Sequence, residues 1–316
     1  MKITILDGNA LNPGDLSYEV FEKFGAVFVY PRTEEKDVIK RIGDSDAILM
    51  NKIRITEEVL SACPNLKYIG IQATGYNVVD LDACRKHNVT VTNVPSYSTA
   101  AVAQHVFALI TAFTNRVKEH SDSVFEGKWC TSKDFCYWNS PLYELDGKKI
   151  GIAGYGNIGS RVAAIAKAFG MKVVTVNKSS RSDRDGIEAV GLDGLAGCDF
   201  ISLHCPLTKE NEGMFDKKLL CKIAGPSTIL INTARGGLIN EEDVAWLLNN
   251  DLLRGYGADV VTEEPMNPSN PLLKAKNCIL TPHIAWAPFE TRQRLLDIVF
   301  SNFKAWIDGK PENTVS

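Results

Sequence analysis

The sequence has little net charge, no long apolar run and no paired cysteine motif. Its 316 residues include 35 Lys and Arg against 38 Asp and Glu, which gives a formal charge of −3. Because so weak a field does not attract polyanions, we expect no nucleic-acid partner. No window approaches the roughly 18 uninterrupted apolar residues of a transmembrane helix, so we expect no membrane partner.

Cysteines are too scattered for a disulfide framework or a zinc site. The chain has eight, and no two form a C-x-x-C pair. This spread favours reduced, mostly buried thiols, and we expect no metal. The segment from Met1 to Asp7 lacks the basic flank and apolar core of a signal peptide. We therefore expect a cytoplasmic protein.

The chain has the composition of a globular protein and the length of about two domains. Hydrophobic residues make up 45%, with 24 Gly and 13 Pro, which excludes disordered, collagen-like and fibrous classes. Short β-branched runs alternate with polar, helix-like stretches in two series. The predicted strands of the first series are 2–6, 27–30, 47–50, 67–71 and 89–91. Those of the second begin at 149 and continue at 173–176, 200–203, 228–231, 256–260 and 278–280.

Repeated β-α alternation predicts parallel sheets with helices on both faces. The fold class is therefore α/β, with two doubly wound parallel-sheet domains. Residues 98–125 have few helix breakers and predict one long helix, buried on most faces, that joins the domains. Residues 129–143 are irregular and aromatic, and a last helix over 290–307 could return to the first domain. We predict one domain from 1–97 plus 286–316, a second from 98–285 inserted into it, and a cleft between them.

A glycine-rich loop follows the first strand of the second series. The run Gly154-Tyr155-Gly156-Asn157-Ile158-Gly159 lies between the apolar residues 150–153 and the helix-like 160–169. A lone G-x-G-x-x-G is weak evidence, but this one lies in a strand–loop–helix context, where the helix N-terminus faces a pyrophosphate. The sequence predicts a dinucleotide site formed by Gly154, Gly156, Asn157, Ile158 and Gly159.

The position that reads the cofactor ribose is unusual. Folds that prefer NAD place Asp or Glu at the end of the next strand, whereas this chain has Asn177, followed by Lys178, Ser179 and, two residues later, Arg181. Without a carboxylate nothing repels a 2′-phosphate, and the two cations could bind one. The alternative is that the cations are solvated and Asn177 holds an unphosphorylated ribose. NAD and NADP therefore both remain open.

Five histidines limit the choice of an acid–base residue. His87 and His120 lie in polar, helix-like stretches and are expected to be solvated, while His105 lies in the apolar long helix and is expected to pack or bond there. His204 ends a strand at the carboxyl edge of the second sheet, where a cofactor binds. His283, just beyond the last strand, is the best-placed candidate for catalysis.

Two further candidates follow neighbouring strands of the second series. Arg235 comes after the strand at 228–231, and Glu264 after the strand that ends near residue 260. Because carboxyl ends of parallel strands share one edge, Arg235, Glu264 and His283 should emerge beside the glycine loop. Such a set meets the needs of an α-keto acid substrate. A cation fixes its carboxylate and polarises its carbonyl, and a histidine donates a proton to the carbonyl oxygen.

The chain resembles the D-isomer-specific 2-hydroxyacid dehydrogenase family over nearly its full length. The motifs that carry the resemblance are Ala73 to Asn77, Asn93-Val94-Pro95, Gly154 to Gly159, Leu203 to Thr208, Asn232 to Gly237, Asp259, Glu264-Pro265 and Thr281-Pro282-His283. The resemblance implies a flavodoxin-like substrate domain and a Rossmann cofactor domain. It also implies that His283 is the general acid, that Glu264 bonds its other nitrogen, and that Arg235 clamps the substrate.

The resemblance implies further contacts. For the cofactor these are His204, Cys205, Pro206, Thr233, Ala234 and Asp259, the last near the nicotinamide carboxamide. For the substrate they are Lys52, Ala73, Thr74, Gly75, Trp138 and Trp286. Backbone N–H groups of Thr74 and Gly75 would hold the carboxylate. Trp286 either limits the pocket or is an ordinary packing residue. A homodimer is implied, in which Trp138 reaches the neighbouring subunit; the alternative is that Trp138 packs under its own loop.

Three segments are most similar to the glycerate dehydrogenase or hydroxypyruvate reductase branch. They are Asn51-Lys52, Ala73 to Asn77 and Asp134 to Trp138. This similarity implies reduction of hydroxypyruvate or glyoxylate and oxidation of D-glycerate. Two alternatives stay open: a dehydrogenase for another D-2-hydroxy acid, such as phosphoglycerate or lactate, and an NAD(H)-responsive, corepressor-like binding protein on the same fold.

Overall fold

The computed structural model describes residues 1–176 and 187–316. The chain forms two compact units. Unit 1 comprises Met1–Ser98 and Trp286–Ser316, and unit 2 comprises Thr99–Ala285. No helix within the described residues is long and apolar enough to cross a membrane.

Unit 1 contains a five-stranded sheet in which every pairing is parallel. Its strands are β1 (Lys2–Ile5), β2 (Ala26–Val29), β3 (Ala47–Met50), β4 (Tyr68–Ile71) and β5 (Thr90–Thr92). The spatial order is β2-β1-β3-β4-β5, which is the flavodoxin-like order. This confirms the fold class predicted for the first series of strands.

Unit 2 contains a seven-stranded parallel sheet. Its strands are β6 (Lys149–Ala153), β7 (Lys172–Val176), β8 (Glu188–Ala189), β9 (Phe200–Leu203), β10 (Ile229–Asn232), β11 (Gly255–Ala258) and β12 (Cys278–Leu280). The spatial order is β12-β11-β10-β9-β6-β7-β8. The chain adds strands first on one side of β6 and then on the other, as in a Rossmann fold. The short edge strand β8 was not predicted from the sequence.

Nine α-helices accompany the strands of the described residues. They are α1 (Val38–Ile42), α2 (Glu57–Ala62), α3 (Leu81–Lys86), α4 (Thr99–Asn115), α5 (Val117–Phe125), α6 (Asn157–Ala168), α7 (Lys217–Ile223), α8 (Glu241–Asn249) and α9 (Phe289–Ile307). Polar N-cap side chains begin four of them by accepting from a backbone N–H: Thr56, Asp80, Asp216 and Asn240.

Alternating strand residues pack into separate cores on the two faces of each sheet. In β3, Ile48 and Met50 face one apolar cluster, while Ala47 and Leu49 face the other. The second cluster also contains buried side chains of α9, including Leu295 and Phe303. In unit 2, α4 and α6 pack in one cluster, and α7 and α8 in the opposite one. Both sheets are therefore doubly wound.

The prediction of one long buried helix over 98–125 was wrong in its second half. Arg116 adopts a left-handed conformation, φ +47°, and separates α4 from α5. The α5 sequence is polar, only Ser123 is buried in it, and Val117 and Phe125 are exposed. Residues 129–143 contain no regular secondary structure, as expected.

Candidate active site

The glycine loop joins β6 to α6 at the carboxyl edge of the unit 2 sheet. Gly154 has φ +101°, and a Cβ there would lie 2.6 Å from the backbone nitrogen of Cys205. The turn therefore requires glycine both for its dihedral angle and for its close approach to the segment after β9. Gly159 is buried in the first turn of α6.

The start of α6 is suited to an anion. Gly156 is the N-cap, Asn157 and Ile158 open the helix, and no acidic side chain lies in the first turn. A Cβ at Gly156 would meet no heavy atom within 4 Å, so a ligand has room to approach the backbone. The backbone N–H groups of a first helical turn and the helix dipole attract a phosphate at such a position.

Two buried polar atoms near this edge lack a hydrogen-bond partner within the described part of the chain. They are Nδ1 of His204, directly after β9, and Oγ1 of Thr233, directly after β10. Cys205 and Pro206 follow His204, and Ala234 follows Thr233. Polar atoms left unpaired beside the glycine loop fit a site that a dinucleotide completes.

The side chains predicted to read the ribose lie outside the described residues. These are Asn177, Lys178, Ser179 and Arg181. The preceding strand, β7, ends at Val176, whose carbonyl accepts from the N–H of Gly154 at 2.9 Å. The strand therefore ends at the glycine loop.

His204 differs from the other candidate histidine at this edge. Its Nε2 lies 2.8 Å from Oγ of Ser202, and burial lowers the pKa of His204 to about 3. The ring is therefore neutral near neutral pH and is a hydrogen-bonding group rather than a proton donor for chemistry.

His283 and Glu264 form a direct pair. Nδ1 of His283 lies 2.7 Å from Oε2 of Glu264, and the side chains are 33% and 37% exposed. The second carboxylate oxygen accepts from the N–H of Val261 at 3.3 Å, which orients Glu264. Since Nδ1 is occupied, Nε2 is the nitrogen left to meet a substrate.

Asp259 holds the loop that carries His283. It is 1% exposed, and it accepts from the hydroxyl of Thr281 at 2.6 Å and from the N–H groups of Ile284 and Ala285, both at 2.8 Å. A carboxylate has about four acceptor positions, and these bonds use three of them. Asp259 is thus engaged with the protein more fully than the sequence indicated.

The Arg235 turn packs against the loop that leads to Glu264. The guanidinium is exposed and donates to the carbonyl of Ala234 at 2.7 Å. Buried Asn232 shapes the turn by donating to the Arg235 carbonyl at 2.9 Å and accepting from the Ala234 N–H at 3.1 Å. A Cβ at Gly236 would lie 1.9 Å from the carbonyl carbon of Val261, so the two loops touch backbone to backbone.

In unit 1, the predicted substrate residues follow two neighbouring strands. Lys52 comes after β3, and its N–H donates to Asp7 Oδ2 at 2.9 Å. Ala73, Thr74 and Gly75 come after β4. The carbonyl of Ala73 accepts from the N–H of Val94, and the Thr74 hydroxyl donates to the Val94 carbonyl at 2.7 Å. The loop backbone is therefore fixed.

The two tryptophans have different surroundings. Trp138 is 67% exposed in the irregular segment of unit 2. Trp286 belongs to unit 1, where its ring meets Tyr97 edge-on, with 6.5 Å between centroids. Trp138 does not pack under its own loop, which disfavours that alternative.

The sequence reasoning assigned no role to two residues that shape these edges, Asn232 and Asp7. Both are buried polar residues that directly follow a predicted strand. A polar residue at the end of an otherwise apolar strand was the available signal, since such groups are normally bonded to the adjoining turn.

Comparison with known proteins decides the family. The model of the NAD-binding domain of D-isomer-specific 2-hydroxyacid dehydrogenases matches residues 107–285. The chain belongs to this family. The predicted enzyme class is thereby confirmed: a nicotinamide-dependent oxidoreductase, using NAD or NADP, that acts on the CH–OH group of 2-hydroxy acids.

Individual relatives cover the whole chain or nearly all of it. A hydroxypyruvate reductase of Blautia hydrogenotrophica is 44% identical over 100% of both chains. A glycerate dehydrogenase of Methylorubrum extorquens is 36% identical over 89% of this chain and 88% of its own. Among solved structures, an acyclic imino acid reductase in complex with NADPH and D-Arg is 32% identical, with a TM-score of 0.86 over 100% of both chains.

Proposed function

We propose that this dehydrogenase reduces hydroxypyruvate to D-glycerate and, in reverse, oxidises D-glycerate, with glyoxylate as a second substrate. The observation that carries the proposal is the 2.7 Å pair of His283 and Glu264 at the sheet edge that also bears the glycine loop. The similarity to a hydroxypyruvate reductase and a glycerate dehydrogenase supports the choice of substrate.

His283 is the proposed general acid. Glu264 lies on its Nδ1 side, and a carboxylate that accepts from Nδ1 orients the ring. The Nε2–H then donates to the carbonyl oxygen of the keto acid as that oxygen gains charge. In the oxidation direction the neutral ring accepts the proton of the hydroxyl group.

Arg235 and the loop of Ala73, Thr74 and Gly75 are the proposed substrate anchors. The exposed guanidinium binds a carboxylate through two parallel N–H bonds and polarises the adjacent carbonyl. Backbone N–H groups of Thr74 and Gly75 are proposed to bind a substrate carboxylate, and Lys52 is proposed to add positive charge at the unit 1 edge. Unit 1 is thus the proposed substrate domain, and unit 2 the proposed cofactor domain.

The bound nicotinamide cofactor supplies the hydride that this chemistry requires. The start of α6 would hold its pyrophosphate, and Thr233, His204 and Asp259 would hold its ribose and carboxamide groups. Lys178 and Arg181 leave both NADP and NAD open, and the imino acid reductase with a similar fold was solved with NADPH.

A panel of keto acids, each assayed with NADH and NADPH, tests the proposal. We expect the highest kcat/KM with hydroxypyruvate, followed by glyoxylate, and lower values with pyruvate and phosphohydroxypyruvate. A preference for pyruvate or phosphohydroxypyruvate would overturn the substrate assignment. Tight cofactor binding without turnover would instead favour the corepressor-like class. An arm with an α-keto acid plus amine distinguishes imino acid reduction, the activity named for the structural relative.

We also propose a homodimer in the cytoplasm. Exposed apolar side chains in α5 and the irregular segment support the dimer: Phe125 and Phe135 are both 89% exposed, and Trp138 is exposed as well. None of the eight cysteines, all of which lie in the described residues, forms a disulfide, which suits a reducing compartment. Light scattering tests the dimer, and Trp138→Ala tests whether this ring contributes to it or to the pocket of a neighbouring subunit.

A further inference from the structure

His105 lies on α4, and its side chain reaches the strand end that leads into the His283 loop. Its Nε2 lies 2.9 Å from Oγ1 of Thr281 and 3.7 Å from Oδ1 of Asp259. The Thr281 hydroxyl lies 2.6 Å from the same Asp259 oxygen. Because that hydroxyl has one proton and a carboxylate only accepts, Thr281 donates to Asp259, and His105 Nε2–H donates to Thr281. The three side chains form a directed relay.

Asp259 connects this relay of side chains to the backbone around His283. It accepts from the N–H groups of the two residues that follow His283, Ile284 and Ala285. On the other side, the carbonyl of Thr281 accepts from the N–H of His283 at 3.0 Å. His283 has φ +55°, a left-handed conformation that a residue with a side chain keeps only when its neighbours hold it.

We propose that His105 is a positioning residue for His283, acting through Thr281 and Asp259. This positioning role deepens the proposed function and rests on it, because His283 must be the proton donor. Removal of the His105 N–H leaves the Thr281 oxygen without its donor and frees the carboxylate to shift with the loop. A displacement of about 1 Å in a reacting group can cost up to about a hundredfold in rate.

The apolar packing of α4 does not require a histidine at position 105. The neighbouring Val106 and Phe107 belong to one of the two buried apolar clusters of unit 2 and supply the packing of the helix at this point. The His105 side chain is 18% exposed, and Asp259 is almost fully buried. A polar side chain at this point of an apolar helix is explained by the bond it makes to Thr281.

Three substitutions separate the hydrogen bond from the shape of the side chain. His105→Phe removes the donor and keeps a ring, His105→Gln places an N–H close to the position of Nε2, and Thr281→Val removes the hydroxyl. We expect His105→Phe and Thr281→Val each to lower kcat with hydroxypyruvate by about tenfold or more. We expect KM for the keto acid to change by less than about threefold, since the proposed substrate anchors are untouched. His105→Gln should retain most of kcat.

A double variant and a packing control sharpen the test. His105→Phe combined with Thr281→Val should lower kcat no further than either change alone, because both break one relay. Val106→Ala, next in sequence and fully buried, should lower the melting temperature and leave kcat unchanged. If His105→Phe behaves like Val106→Ala, His105 only packs, and the proposal is overturned.

Amide hydrogen exchange gives a readout that does not need turnover. The N–H groups of Ile284 and Ala285 should exchange faster in His105→Phe and Thr281→Val than in the wild type or in His105→Gln. Unchanged exchange at both amides would overturn the positioning role even in an active enzyme. If these amides respond while no keto acid is turned over by the wild type, the relay stands and the proposed function fails.

Discussion

The carboxyl edges of the two sheets carry similar polar residues but use them differently. In unit 1 these groups bond to one another. Asp7 accepts from the backbone N–H groups of Asn51 and Lys52 at 2.9 to 3.0 Å, and the Asn51 amide donates to the Gln72 carbonyl at 3.0 Å. The Tyr18 hydroxyl donates to Oε1 of Gln72 at 3.2 Å. Only Nε2 of Gln72 is unpaired among the buried side-chain atoms described at this edge.

In unit 2 the polar side chains at the corresponding edge remain accessible to a ligand. His283 and Glu264 are each about one third exposed, Arg235 is exposed, and Thr233 keeps a buried hydroxyl without a partner within the described chain. The same parallel topology therefore produces one edge that is largely satisfied by its own bonds and one that a ligand can complete. This contrast suggests that unit 1 supplies fixed backbone, while unit 2 supplies chemistry.

Removal of the His283 ring is the strongest test of that contrast. We expect His283→Ala to lower kcat for hydroxypyruvate reduction by about 10²- to 10⁴-fold, the usual contribution of a positioned acid. Cofactor affinity, measured by fluorescence titration, should not change. His87→Ala is the matched control, because His87 is a unit 1 histidine paired with surface Glu57, and it should leave kcat unchanged. A near-normal kcat in His283→Ala would refute the assignment.

The Arg235 guanidinium should come next in effect. Arg235→Lys keeps the charge and loses the planar fork, so we expect kcat/KM for the keto acid to fall by about 10²-fold. The cofactor Kd should stay the same. An Arg235→Lys enzyme with wild-type kcat/KM would mean that the exposed guanidinium is an ordinary surface charge. Arg235 would then not be the substrate anchor of the unit 2 edge.

Much of the fold could be predicted because buried parallel strands are continuous apolar runs. The bounds of β3, β9 and β12 match those predicted. The break at Arg116 could not be predicted, since a left-handed residue leaves no clear signal in a polar segment. The short strand β8 has only two residues, Glu188 and Ala189, both exposed, and therefore no apolar pattern.

The candidate site was predictable only in part, for a physical reason. Arg235, Glu264 and His283 lie beyond neighbouring strand ends, which the rule for parallel sheets places at one edge. The partner of His105 was not predictable, because Thr281 lies 176 residues away in sequence. Hydrogen bonds of that range depend on side-chain placement that periodicity does not specify.

Glu264→Gln tests the electrostatic part of the pair. The amide keeps an acceptor for Nδ1 of His283 and removes the negative charge beside the ring. We expect kcat/KM for reduction to fall by about tenfold, because a charge-assisted hydrogen bond to the ring is replaced by a weaker neutral one. The effect is modest because Glu264 is partly solvated. Steady-state kcat/KM with hydroxypyruvate provides the check, and an unchanged value would show that the charge of Glu264 does not contribute to catalysis.

Asp7→Asn is the mildest change and probes the unit 1 edge. Burial raises the pKa of Asp7 above its ordinary value of 3.8, against the lowering effect of the Asn51 and Lys52 N–H bonds. Between 3.8 and the raised value, the unfolded chain has released a proton that the folded chain retains, so stability falls as pH rises.

Asn cannot titrate, and its NH₂ group meets N–H donors where a carboxyl oxygen accepted, which costs about 1–3 kcal/mol. We therefore expect Asp7→Asn to melt below the wild type, with the gap narrowing as the pH rises above 3.8. Its kcat should stay within about threefold, since Asp7 holds backbone rather than substrate. A large loss of kcat with unchanged melting would place chemistry in unit 1 and break the contrast between the two edges.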